Sequence, residues 1–140
     1  MEPATNISNH LVKSEDLNHH GTLYAGRSAE WFVEAGFIAA ARLKAPENIV
    51  CLKIHGMTFT RSVQCGEIVT YHSKIIYAGT TSLVAFIEVK AKDAPVVSGF
   101  ITFIHVNADS KPVPHGIIIT PVTEEDKLLR ETAMTLNKKS

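Results

Sequence analysis

Between Leu23 and Lys44 the apolar residues recur at helical spacing; from residue 49 onward they recur at every second position instead. The first stretch contains no proline and is rich in strong helix formers, among them Ala25, Ala29, Glu30, Glu34, Ala35, Ala39, Ala40, Ala41 and Leu43. Pro46 ends it. At about 100° per residue, Ala29, Phe32, Val33, Gly36, Ala40 and Leu43 share one face, and Arg27, Glu30 and Glu34 cluster on another. Trp31, Phe37, Ile38 and Ala41 make the remaining surface largely apolar as well. A helix so apolar must be covered on most sides, which predicts a central position.

The alternating segments predict strands over 49–59, with Gly56 as a bulge, and over 67–77, 81–92 and 96–106. Within 67–77, Val69, Tyr71, Ile75 and Tyr77 oppose Thr70, His72 and Lys74. Within 81–92, Leu83, Ala85, Ile87, Val89 and Ala91 oppose Ser82, Glu88, Lys90 and Lys92. The last strand is apolar on both faces. Turns are expected at Ala78-Gly79 and Ala94-Pro95, and such short connections imply antiparallel neighbours. A short first strand is expected at 7–13, followed by a polar turn from Ser14 to Gly21. A loop at 109–112 precedes a final helix that opens near Thr123, with Thr123 and Asp126 as capping-box partners, and runs to about Leu136. The expected class is α+β, with a curved antiparallel sheet wrapped around one long central helix.

Composition narrows the reading. A chain of 140 residues without linker or repeat reads as one domain, 1–140. Lys plus Arg and Asp plus Glu both number 14, so no global field gathers nucleic acid or an anionic membrane. Apolar runs such as Val33 to Ala41 are interrupted and too short to span a bilayer, and the N-terminus lacks the pattern of a signal peptide; a cytoplasmic location is the expectation. Cys51 and Cys65 lie in strand-like sequence and are expected to be small buried residues rather than a disulfide framework.

Four segments, in order and at consistent spacing, carry a family resemblance. Asn18-His-His-Gly-Thr-Leu-Tyr-Ala-Gly26, followed by Arg27 to Gly36, resembles the signature of hot-dog acyl-CoA thioesterases of the acyl-CoA hydrolase type, Asn-His-x-Gly-x-x-x-Gly-Gly and then Trp-x-Asp-Glu-Ala. Phe59-Thr-Arg-Ser-Val-Gln-Cys-Gly-Glu67 is similar to that family's Phe-x-x-Pro-Val-x-x-Gly-Asp. Tyr77-Ala-Gly-Thr-Thr-Ser82 resembles its Gly-x-Thr-Ser turn, and Lys111-Pro-Val-Pro114 the end of its last strand. The resemblance implies a hot-dog fold. It also implies a homodimer joined edge to edge, or a tetramer or hexamer built from it, with acyl-CoA in a cleft between subunits and neither metal nor other cofactor.

Thioester hydrolysis needs a polarised carbonyl, an activated water and an exit for the thiolate. Free N–H groups at Ala25 and Gly26, at the positive end of the long helix, fit an oxyanion hole; Ala25 stands where the family has its first glycine. The competing reading of Gly21 and Gly26 is turn and packing geometry. Asn18 matches the family's active-site asparagine, whose amide orients water or thioester; its competing reading is an Asx turn. The family's catalytic Asp falls on Val33, which moves no proton. Glu30 lies about 60° from Val33 on the helix and Glu34 about 100°. Either is a candidate acid or base, or a partner of Arg27 on a solvated stripe. His20 and His55 are candidate bases by their ordinary pKa, and the His19-His20 pair lacks the spacing of a metal site. Arg61, Arg27, Lys53 and Lys111 are candidates for the phosphates of CoA. Two further classes stay open, a holder of acyl-CoA without turnover, which Val33 favours, and a hot-dog dehydratase or hydratase, for which no His–carboxylate motif stands out.

Overall fold

The structure, a computed structural model, describes residues 1–138. It contains strand β1 (Asn6–Leu11), helix α1 (Ala25–Ala41), strands β2 (Ile49–Ile54), β3 (Thr58–Phe59), β4 (Ile68–Ala78), β5 (Ser82–Ala91) and β6 (Ala94–His105), and helix α2 (Glu124–Lys138). All six strands form one antiparallel sheet in the order β1-β4-β5-β6-β2, with β3 also paired to β6. The expected α+β architecture with one long central helix is what the chain adopts. Among the described residues no helix is long and apolar enough to cross a membrane.

α1 is shorter at both ends than the pattern implies, because tertiary contacts claim the flanking backbone. The Leu23 N–H donates to the Val63 carbonyl and that of Tyr24 to the Asp16 carbonyl, so helical bonding starts only at Ala25. At the other end Leu43 and Lys44 both donate to the Ala40 carbonyl in a closing turn. The buried face is also rotated from the expected one: Ser28, Phe32, Ala35, Gly36, Ala39 and Ala40 are buried, whereas Ala29, Val33 and Leu43 are only half-buried. Small residues decide this. A Cβ on Gly36 would stand 3.1 Å from Ile87 Cδ1 and 3.3 Å from Ile101 Cδ1, so the helix lies close against β5 and β6. Trp31, Phe37, Ile38 and Ala41 are half-buried, as a helix covered on most sides requires.

Val69, Tyr71 and Ile75 of β4 and Leu83, Ala85, Ile87, Val89 and Ala91 of β5 line the main core with α1. Tyr77 does not follow them. A register shift between Ile75 and Tyr77 sends Ile76 and Tyr77 to the outer face, where α2 covers them with Val84, Phe86, Phe100, Leu129 and Ala133. Ser82, expected on the solvated face, is buried, and its hydroxyl accepts a bond from Asn137 Nδ2 at 3.2 Å. The β5–β6 turn falls on Lys92 and Asp93, both at positive φ, rather than on Ala94-Pro95, which already belong to β6; that geometry matches the twist of a tight hairpin.

The single strand expected over 49–59 is broken. Gly56 turns the chain at φ 128°, and Gly99 of β6 lets it pass, since a Cβ there would stand 2.3 Å from the Gly56 carbonyl oxygen. The bulge lies instead between Cys51 and Lys53. Both cysteines are exposed, contrary to expectation: Cys51 sits on the sheet's last strand, of which only Ile49 is buried, and Cys65 in the loop before β4. α2 is capped as predicted on one side only. The Asp126 N–H donates to Thr123 Oγ1 at 3.1 Å, while the Asp126 carboxylate accepts from Lys74 instead of reaching back.

Candidate active site

The start of α1 is held against the loop that follows β3. Isolated bridges join Leu17 to Leu23 and Thr22 to Gln64, and the Leu23–Val63 bond ties the two segments together. Between them opens a cavity of about 420 Å³. Asn18, His20, Thr22, Leu23, Ala25 and Ser28 form one wall, and Phe59, Thr60, Arg61, Ser62, Val63 and Val96 the other.

Asn18 closes the turn weighed for it from the sequence and also lines the cavity. Its Oδ1 accepts from the His20 N–H (2.9 Å) and the Thr22 N–H (3.2 Å), which closes the loop, while Nδ2 donates to Thr22 Oγ1 at 3.2 Å. Nδ2 carries a second N–H beyond the one given to Thr22. Ala25 lines the same space. No side chain caps the helix, whose N-cap is Tyr24, so the Ala25 and Gly26 amides have no partner within the helix. Gly26 does not line the cavity; a Cβ there would strike the Tyr24 ring at 2.4 Å, so this glycine makes room for that ring.

The charged candidates are dispersed. Arg61 lines the cavity, but its Nη2 donates to Glu67 Oε1 (2.8 Å) and the Ala91 carbonyl (2.9 Å) and its Nη1 to the Ser62 carbonyl (2.8 Å). Arg27 lies 3.3 Å from buried Asp16 and 3.8 Å from Glu30, the solvated pairing weighed from the sequence. Glu30 and Glu34 are exposed and outside the cavity wall; Val33 is half-buried and packs on the core. Lys53 and Lys111 are exposed and have no carboxylate partner among the described residues. His55 shares a 2.7 Å hydrogen bond with Thr102 Oγ1; burial, with the Lys53 charge, pushes its pKa down. Sequence reasoning missed Thr22, which anchors the Asn18 amide, and Ser28, a buried residue of the cavity wall.

Arg61 has a structural duty that makes a testable pH effect. Its bond, reinforced by the 2.6 Å donation from the Gln64 N–H, holds the buried Glu67 carboxyl below its ordinary value of 4.5. A depressed folded pKa contributes stability above the unfolded value and loses it as pH falls through the folded one. Thermal melts from about pH 7 down to about pH 3 should therefore decline below the ordinary carboxylate value. Glu67→Gln should be less stable at neutral pH and decline less steeply on acidification. A parallel decline in both proteins contradicts this assignment.

Comparison with known proteins decides the family. A family model described as the thioesterase superfamily matches residues 20–98, more than half of the chain. The chain belongs to the thioesterase superfamily. Among thioesterase relatives, an uncharacterized acyl-CoA thioester hydrolase of Bacillus subtilis, YkhA, is 26% identical over 125 residues, covering 85% of this chain and 72% of its own length. The cytosolic acyl coenzyme A thioester hydrolase of Rattus norvegicus is 29% identical over 129 residues, covering 84% of this chain; the chain spans only 32% of that enzyme. An apo-hexameric acyl-CoA thioesterase superposes with a TM-score of 0.88 at 26% identity, covering 96% of this chain and 89% of that one. An acyl-CoA hydrolase of Staphylococcus aureus, solved with butyryl-CoA, CoA and CoA disulfide, superposes at 0.84 with 23% identity, covering 96% and 85%. This member of the thioesterase superfamily thus has the hot-dog fold that the sequence motifs imply.

Proposed function

We propose that the chain hydrolyses acyl-CoA thioesters to the free acid and CoA. The carrying observation is the cavity beside the uncapped N-terminus of α1, lined by Asn18 and Ala25, in a chain of the thioesterase superfamily. In this reading the thioester carbonyl lies against the Ala25 amide at the cavity wall, with the Gly26 amide next along the same helix end, and their dipoles favour the negative charge that develops on its oxygen. The free N–H of Asn18 orients the thioester or the water. Glu30 and Glu34 remain the acid and base candidates of the helix, from its exposed side. Lys53 and Lys111, which have no carboxylate partners, are better suited to the CoA phosphates than Arg61 and Arg27, whose guanidiniums are already engaged. Incubation with acetyl-, hexanoyl-, palmitoyl- and benzoyl-CoA should release free thiol from at least one of them, read with a thiol reagent. Binding without release from any of the four would replace this reading with a non-catalytic holder of acyl-CoA.

The active assembly is proposed to be a homodimer or a multiple of it. β2 ends the sheet with an unpaired edge, and Val50, Leu52 and Ile54 on it are 43%, 54% and 44% exposed. An apolar open edge of this kind is a template for a second strand. Light scattering at micromolar concentration should give at least twice the mass of one chain; a stable monomer contradicts the assembly.

A further inference from the structure

The segment that follows β6, residues 113–119, lies across the β4–β5 turn and reaches the C-terminal end of α1. Its Val113 N–H donates to the His105 carbonyl at 2.9 Å and its His115 N–H to the Thr80 carbonyl at 3.2 Å. Ile119 then packs into the main core beside Ala39 and Leu43. His115, only 5% exposed, fastens this strap with both ring nitrogens. Nε2 stands 2.9 Å from the Ser82 carbonyl oxygen, and the Ile117 backbone nitrogen stands 2.9 Å from Nδ1. A carbonyl can only accept and a backbone N–H can only donate, so Nε2 carries a proton and Nδ1 carries none. The uncharged Nε2–H ring is the one form that makes both bonds. A second proton would set Nδ1–H against the Ile117 N–H, two donors facing each other in a site nearly closed to water.

We propose that His115 is an acid-sensitive latch, which fastens the 113–119 strap to the β4–β5 turn while its ring is uncharged and releases it when the ring takes a second proton. The latch stands whether or not the chain hydrolyses thioesters. The His105 ring of β6 lies edge-on to that of His115, with centroids 6.3 Å apart, and Lys44, just beyond α1, also acts on it by its charge. Burial pushes the His115 pKa below its ordinary 6.5; the Ser82 bond opposes the shift, and the His105 and Lys44 charges add to it. The open strap therefore takes up the proton more readily than the closed one. Closure is fully favoured above 6.5 and weakens as the pH falls toward the lowered value. One proton per opening sets the loss at up to about tenfold per pH unit across that window. The Glu67 carboxyl acts lower, below 4.5, so the two effects separate.

The test is imidazole nitrogen NMR and amide hydrogen exchange on the full chain, at about pH 7.5 and about pH 5.5. At the higher pH the His115 ring should read as the uncharged Nε2–H tautomer. Between the two, the protection factor of the Ile117 amide should fall by about five- to tenfold, the linkage expected of one proton. His55, whose pKa burial also lowers, bears on the melting of the whole chain in the same range, so the Ile117 amide and not the melt carries the test. His115→Gln has an amide that can donate to Ser82 and accept from Ile117 without titrating, and its Ile117 protection should change less with pH. A wild-type ring that reads as the Nδ1–H tautomer or as the cation at the higher pH overturns the latch, with no variant needed. Ile117 protection that is equal at both pH values overturns it too, as does a fall that is equally steep in folded His115→Gln.

Discussion

Replacing Asn18 by Ala should lower turnover by about 10²-fold or more, the scale on which loss of one preorganised donor acts. The side chain makes the Asn18–Thr22 loop and also faces the cavity, so its removal takes away both a donor to the reacting groups and the bonds from His20 and Thr22 that shape the wall. Asn18→Asp separates the two. It keeps an acceptor for the His20 and Thr22 amides but has no N–H, so a loss equal to that of Asn18→Ala assigns the effect to the donor. Glu30→Gln and Glu34→Gln supply the scale for comparison. A positioned general acid or base contributes about 10²–10⁴-fold, yet both carboxylates are exposed and away from the cavity wall. Each glutamine variant should therefore slow the reaction less than Asn18→Ala. Full activity of Asn18→Ala in steady-state kinetics contradicts the role given to this residue.

The largest effect on stability is expected at Phe32. Its ring is fully buried on the sheet-facing side of α1 and reaches Gly99: a Cβ on that glycine would stand 3.1 Å from Phe32 Cζ. Phe32→Ala deletes the ring from a packed site and leaves a cavity, at a cost of about 3–5 kcal/mol. For a chain of this length that is a fall of about 10–15 °C in the thermal midpoint. Calorimetry and urea unfolding should agree on the change. A loss below about 1 kcal/mol would mean that the helix is not the centre of the core.

The family motifs and the alternating pattern made most of the fold legible, and the misses share a cause. Local pattern reports which residues are apolar, not which neighbours will arrive. The wheel counted Ala29 and Val33 as inside, whereas Ser28, Ala35 and Ala39 share the buried face, where Gly36 approaches β5 and β6 closely. Tyr77 changed face through a single register shift that alternation cannot foresee. Cys51 looked buried because strand 49–59 looked internal; it lies at the sheet's end, and strand order is not written in strand composition.

At the candidate site the motif brought Asn18, Ala25 and Arg61 to one cavity but did not distinguish their duties. Arg61 reads as a phosphate arm in isolation, and only its 2.8 Å contact with buried Glu67, six residues along, reveals a structural charge pair. Glu30 and Glu34 were drawn in by their nearness to Val33 along the helix, yet the geometry leaves both in solvent. Ser28 carried no sequence signal, since a serine in a helix gives no sign of whether its hydroxyl will find a partner.

The most direct test of the account is hydrolysis in oxygen-18 water, with the acid product read by mass spectrometry and the CoA thiol quantified in the same sample. The account predicts one heavy oxygen in each molecule of free acid, one thiol released per acid, and loss of both signals together in Asn18→Ala. Recovery of intact, unlabelled acyl-CoA after prolonged incubation with the wild-type protein, at concentrations where binding is demonstrable, would contradict it.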